Sequence, residues 1–482
     1  MAGLQASTLK NVIWNFAEQF LTKGISVVTT LVLAWLLVPE DYALIAMLAV
    51  VIALSSALVD GGFGQAIIRK TEITPEELDT VFWTNIGLSI VIYGLVYLLA
   101  PAIASFYNEE RLIELIRVVG IAIFFQSLIV VQEAVLSRAL KFKQQVKVVL
   151  PAAILSSVSA IVLAYYEFGV WSLIYQIVIN SFFLFVFYWM LKLWRPTMIF
   201  KVDALVDLWQ FSKFIVIDSM VAIPFKNMYL MVLPKYFAAG PVGLYFFAEK
   251  LKKVLIGLIV NSVQKVTYPA LSKIQDDHVR LKQGYRKVVA TTTFLLFPMM
   301  FLLAALAPTL FELVLPEKWH GAAIYLQLMC LAALFNPLNS INLNILKVKG
   351  RSDLVFYVGI FKKIIVIALF IYTLQFGIVE IILGQIVASV INYVPNAYYS
   401  FRLIQYSIKE QLADFLPGLF LSFFITAGVY YLQELMSWPA WVELFLLSFV
   451  YLTVYLIGAY LLKLHAFELA SEMIYKKFKN EK

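Results

Sequence analysis

Apolar runs of about twenty residues, separated by short polar links, recur from one end of the chain to the other. A run of that length crosses the hydrocarbon of a bilayer as a helix, whereas a barrel strand needs only about ten residues of alternating character. Bounded by charges and Pro/Gly clusters, the runs predict spans over 11–37, 42–66, 80–104, 112–136, 148–166, 171–191 and 214–233. They continue over 244–268, 288–311, 321–346, 354–374, 378–401, 415–432 and 441–463. Helix breakers punctuate the links, as in Val38-Pro39-Glu40-Asp41, Glu167-Phe168-Gly169 and Gln375-Phe376-Gly377. The expected fold is all-α and integral to the membrane, with about fourteen transmembrane helices.

Composition makes the solvent explicit. Of 482 residues, 62% are hydrophobic and only 14% charged, and the mean hydropathy is +0.86. Too few charges are present to cover a water-soluble surface of this size. Cys330 is the single cysteine and has no internal partner, and His278, His320 and His465 are scattered. No metal or other cofactor is expected from that distribution. The first nine residues lack the basic region of a signal peptide, and the apolar stretch behind them is too long for one.

Basic residues then orient the chain. Links after even-numbered spans, counted with the last turn of each such span and the C-terminal tail, hold 26 lysines and arginines, against three (Arg111, Lys235, Lys318) after odd-numbered spans. The positive-inside rule places both termini in the cytoplasm. An alternation this regular also supports the count of spans. The bias accounts for the pI of about 9.1, so no nucleic-acid partner is called for. No link is long enough to hold a catalytic domain and no catalytic constellation stands out, so the chain is not expected to be an enzyme.

Spans one to six and seven to twelve match in length and link pattern at an offset near 200 residues. Pro39-Glu40-Asp41-Tyr42-Ala43-Leu44 separates spans one and two, and Gly240-Pro241-Val242-Gly243-Leu244-Tyr245 separates seven and eight. The expectation is two six-helix lobes related by a repeat, over 1–200 and 201–405, with spans thirteen and fourteen and a basic tail over 406–482.

Polar residues at membrane depth are costly and therefore informative. In span one Asn11, Asn15, Glu18, Gln19, Thr22, Ser26 and Thr29 recur at helical spacing, with Lys23 at the edge of that face. A stripe this long points to a water-filled cavity, the alternative being interhelical pairing. Span eight carries Glu249, Lys253, Asn261, Gln264 and Tyr268 on one face, with Lys250 and Lys252 beside it. Three lysines against one glutamate leave net positive charge, unless the lysines snorkel to the interface. Span seven adds Asp218 and Lys226 around Pro224. Lys23, Lys226, Lys250, Lys252 and Lys253, with Asn15, Gln19 and Asn261, thus form a candidate site for an anionic headgroup. Glu18, Asp60 and Asp218 are candidates to titrate if an ion gradient, H+ or Na+, drives movement. Arg117 and Glu133 lie near the ends of span four and are expected to be structural. Asn336-Pro337-Leu338-Asn339-Ser340 in span ten reads as a proline kink whose freed backbone is satisfied by amides.

Three short motifs carry a resemblance. Leu37-Val38-Pro39-Glu40-Asp41-Tyr42-Ala43-Leu44 resembles the LGPEDYGL link of polysaccharide transporters, with Val38 and Ala43 where glycine is usual. Asp60-Gly61-Gly62-Phe63-Gly64-Gln65-Ala66-Ile67-Ile68-Arg69 resembles their DxGFxxAIIR segment, and Tyr268-Pro269-Ala270-Leu271-Ser272 their PALS segment. The chain looks like a member of the multidrug/oligosaccharidyl-lipid/polysaccharide superfamily, in its Wzx-type or colanic/teichuronic acid exporter branch. That resemblance implies a flippase for undecaprenyl-pyrophosphate-linked oligosaccharide in the bacterial cytoplasmic (inner) membrane, serving O-antigen, capsule or exopolysaccharide synthesis. It implies alternating access through a central cavity whose cations hold the pyrophosphate, a role Lys23, Lys226 and the 250–253 group match by position. A polysaccharide polymerase and a chain-length regulator are the implied partners, beside membrane lipid. The competing reading is a cation-coupled multidrug exporter of the same superfamily, disfavoured by the lysine surplus.

Overall fold

The computed structural model describes residues 2–272, 274–436, 438–464 and 466–468. Side chains are described from 18 onward, other than 255, 258–266, 268–270 and 352. Among the described residues there is helix and no strand. The chain packs as two compact units, 1–246 and 247–482.

The first unit contains α1 (Ala2–Leu36), α2 (Pro39–Asp60), α3 (Phe63–Arg69), α4 (Pro75–Tyr107), α5 (Leu112–Val119) and α6 (Ile121–Ser127). It continues with α7 (Val130–Arg138), α8 (Phe142–Tyr165), α9 (Val170–Met190), α10 (Val202–Lys226) and α11 (Met228–Tyr236). Helix α12 (Ala239–Ser272) begins in the first unit and runs on into the second. The second unit adds α13 (His278–Val314), α14 (Ala322–Ala333), α15 (Asn336–Val348), α16 (Ser352–Thr373), α17 (Ile378–Ile404), α18 (Ile408–Leu435) and α19 (Ala440–Leu461).

Local chemistry sets the ends. Pro39 at the first turn of α2 has no N–H to waste, and Asp41 accepts the Val38 amide at 3.2 Å. Thr74 and Glu77 close a capping box on α4, each side chain accepting the other's amide (3.3 and 3.0 Å). Ser407 and Glu410 do the same for α18. Four predicted spans are interrupted, span seven between α10 and α11 and span ten between α14 and α15 among them. Span two stops at Gly61 and Gly62, whose φ of 57° and 72° few other residues tolerate, and restarts as α3. Span four is three short helices, with a 43° bend between 112–127 and 130–138.

Twelve helices among the described residues are long and apolar enough to cross a membrane, and thirteen if that bent pair is one span. Of the fourteen expected spans, thirteen correspond to these helices. The predicted span outside them, 244–268, lies on α12, many of whose side chains are outside the described residues.

Packing in the first unit centres on Leu44, Leu48, Ile92, Leu115, Ile116 and Ile174, drawn from α2, α4, α5 and α9. Helix α1 lies along α8, and α8 along α9. Helices α10 and α11 pack on α2, with α10 also on α3 and α4. In the second unit α13 is central, touching α14, α15, α18 and α19. Spans thirteen and fourteen, here α18 and α19, are bound to it by side chains. Glu443 of α19 accepts from Thr309 of α13 at 2.6 Å, and Tyr430 of α18 donates to the Ala304 carbonyl at 3.2 Å.

Candidate functional site

On α1, Glu18, Gln19 and Lys23 are half-buried. The Thr22 and Thr29 hydroxyls turn back to the carbonyls of Glu18 and Ile25 (both 2.7 Å), so those members of the polar stripe are committed to their own helix. Asn11 and Asn15 lie outside the described side chains, as do Asn261 and Gln264 on α12.

Asp218 and Lys226 are both exposed on α10, which ends at Lys226 and restarts at Met228 as α11. The chain therefore breaks at Asn227, three residues beyond Pro224. On α12, Glu249 bonds both Lys252, one turn on, and Lys253 at 3.4 Å. The Glu249 and Lys252 side chains are largely buried while Lys253 is 44% exposed, so Lys253 is the more open cation of the pair. Lys250 is half-buried.

Asp60 ends α2, and its carboxylate stands beside the backbone of Gly64 just after the double-glycine turn, 2.9 Å from where a Cβ on that glycine would sit. It faces a cavity of about 430 Å3 lined also by Ser56, Gln65, Gln126, Glu133 and Ser137. Glu133, read from sequence as structural, thus shares a polar cavity with Asp60 and lies within its electrostatic reach. The Arg117 guanidinium stands 4.2 Å from the centre of the Tyr97 ring, and its carbonyl accepts from Tyr93.

Next to this cavity the links are tied down. Arg138 donates to the carbonyls of Ile67 (2.8 Å), Lys70 and Thr71 (2.6 Å). Lys70 reaches Glu77 at 2.5 Å and Asp207 at 2.6 Å, and these two carboxylates hold its ammonium above the usual lysine pKa. The segment joining α9 to α10 is pinned to α4: Asp79 accepts from the Thr197 amide and hydroxyl, Trp83 donates to the Thr197 carbonyl at 2.8 Å, and the Lys201 amide donates to Thr80 at 3.1 Å.

The two links paired by the sequence repeat meet within the first unit. A Cβ built on Gly243 would fall 1.8 Å from the Pro39 carbonyl oxygen, and one on Gly240 3.0 Å from Glu40. The rings of Tyr42 and Phe246 stand 6.3 Å apart behind them.

A long-helix membrane chain with polar residues at depth and helix-breaking glycines could belong to several transporter groups. Comparison with known families decides among them, since the family described as Polysaccharide biosynthesis protein matches residues 32–324. The chain belongs to that family, in its Wzx-type polysaccharide transporter branch. It is 25% identical over 431 residues to the lipopolysaccharide biosynthesis protein WzxC of Escherichia coli (strain K12), covering 88% of this chain and 86% of that one. It is 23% identical over 417 residues to the succinoglycan biosynthesis transport protein ExoT of Rhizobium meliloti (strain 1021), covering 86% and 82%. Among solved structures, the lipid II flippase MurJ in an inward closed conformation aligns at a TM-score of 0.75 and 15% identity, over 94% of this chain and 98% of the other. An inward-facing multidrug resistance MATE transporter aligns at 0.57 and 16%, over 82% and 96%. The family member is thus a multi-pass membrane transporter of polysaccharide biosynthesis and not a catalyst. Among the described residues no group of His, Cys, Asp or Glu could hold a metal ion.

Proposed function

We propose that the protein is a flippase that carries undecaprenyl-pyrophosphate-linked oligosaccharide units across the bacterial inner membrane by alternating access, with both termini cytoplasmic. The family match over 32–324 carries this reading, supported by relatives named for lipopolysaccharide, teichuronic acid and succinoglycan biosynthesis. Lys23, Lys226, Lys250, Lys252 and Lys253, with Asn15, Gln19 and Asn261, are the proposed contacts to the pyrophosphate and first sugars. Their cationic surplus suits an anion and would repel an organic cation, which favours this reading over the multidrug exporter. Glu18, Asp60 and Asp218 are the proposed coupling groups, with H+ or Na+ as the ion. The polymerase and chain-length regulator are proposed partners.

Deleting the protein tests the assignment. The expected result is loss of surface polysaccharide with unchanged cellular accumulation of cationic drugs. Normal polysaccharide with raised drug accumulation establishes the exporter instead.

A further inference from the structure

Helices α16 and α17 leave between them an apolar groove of about 680 Å3, to which Ile408 at the start of α18 also contributes. Lone apolar side chains on a membrane protein need no explanation, but a concave site of ligand size does. Tyr357, Phe361, Val394 and Tyr398 line the groove and are exposed within it. Pro395, also in the lining, lies inside α17.

Cations gather at one end. The Arg402 Nε donates to the Tyr398 hydroxyl at 3.1 Å, and its guanidinium stands 5.5 Å from the centre of that ring. Arg351, paired with Asp353 about one turn before Tyr357, lies within electrostatic reach of Tyr399, another groove residue. Lys409 follows Ile408 directly in sequence. An apolar trough ending in arginines is complementary to a long hydrocarbon chain ending in a phosphate. The links bearing Arg351 and Arg402 fall on the side that the basic bias assigns to the cytoplasm, the leaflet from which an outward-moving cargo is loaded.

We propose that the α16–α17 groove holds the polyprenyl tail of the lipid-linked cargo, with Arg402 and Arg351 at its phosphate end. This deepens the flippase reading and rests on it. It places the tail on spans eleven and twelve, away from spans thirteen and fourteen.

The test uses the full-length protein in phosphatidylethanolamine/phosphatidylglycerol nanodiscs and a C55 polyprenyl phosphate with a diazirine in its tail. Crosslinks are expected in peptides spanning 354–363 and 388–401, competed by unlabelled polyprenyl phosphate and not by added phosphatidylglycerol. Val394→Trp, which fills the trough, should cut crosslinking at least fivefold, and Arg402→Gln should weaken the phosphate about tenfold while leaving neutral polyprenol unchanged. Ile391→Phe serves if Val394→Trp fails to accumulate. Crosslinks spread over all helices, or competed equally by phosphatidylglycerol, overturn the proposal. Polysaccharide export measured in cells keeps the two readings apart. If export needs the protein but groove-filled variants export and crosslink normally, the groove inference fails and the flippase stands. If export never needs the protein, the flippase reading fails, and with it the cargo assignment of any lipid found in the groove.

Discussion

Gly243, in the first turns of α12, lies so close to the Pro39 carbonyl oxygen at the start of α2 that a Cβ would come within 1.8 Å of it. Both partners are backbone, so neither can swing aside. Gly243→Ala should cost the upper end of the overpacking range, about 3 kcal/mol, or force the contact open. Gly87→Ala on α4, where nothing stands within 4 Å, is the control and should be near neutral. Thermal melting of detergent-purified protein, read by gel filtration, distinguishes them. Equal melting of the two variants would mean that the contact contributes nothing.

Arg138→Ala should be the most destabilising single change among the links. It leaves the carbonyls of Ile67, Lys70 and Thr71 without this donor, and a hydrogen bond to a charged group contributes roughly 1.5–3 kcal/mol. Arg138→Lys should recover only part, because one ammonium cannot span three carbonyls as the guanidinium fork does. The same melting assay reads both.

The Lys70 cluster should show itself at high pH. Its folded pKa is raised above the unfolded 10.5 by Asp207 and Glu77, so its stabilisation is fully present below 10.5 and lost as pH rises through the higher folded value. Wild-type protein should lose melting temperature over that window, and Lys70→Ala should flatten the slope. The effect at neutral pH should be small, about 1 kcal/mol or less, because Asp207 is well exposed.

Lys23→Ala, Lys226→Ala and Lys253→Ala should each lower polysaccharide export about tenfold at normal membrane protein level, each removing a charged hydrogen bond worth roughly 1.5–3 kcal/mol. Arginine at the same positions should be milder. Normal export by all three alanine variants would remove the anion-site reading.

Asp60→Asn keeps the size and shape of the side chain beside Gly64, so the turn should hold. If Asp60 couples an ion gradient, transport should fall at least tenfold while the melting temperature moves little. Glu133→Gln should add to that loss because the two carboxyls share one cavity. Wild-type transport that survives collapse of both proton and sodium gradients would exclude coupling through either.

The sequence disclosed most of the helices because an apolar run of twenty residues has few other uses. It concealed where the helices meet. Glu133 reads from sequence as a span-end residue, and only the packing of α3 on α7 brings it into the cavity with Asp60. Asn339 reads from sequence as serving its own kinked backbone, yet it accepts from Asn396 of α17 at 2.8 Å, a pairing that no helical period encodes. The links at Pro39 and Gly243 were legible as counterparts, but their contact was not, since similarity of two segments says nothing about their distance. The breaks at Asn227 and within 112–138 are not legible from hydropathy averaged over a whole span, which stays apolar across them.

The hydrogen bonds of Arg138 carry a consequence for biogenesis. The three carbonyls it serves, at the end of α3 and just beyond, are synthesised some 67 to 71 residues before their donor. Until Arg138 emerges, that segment has only water or lipid headgroups for this bonding and must linger at the interface. The second and fourth spans should therefore settle as a late-closing pair, with the third already inserted between them, and a ribosome stalled before 138 should leave 63–71 accessible to protease.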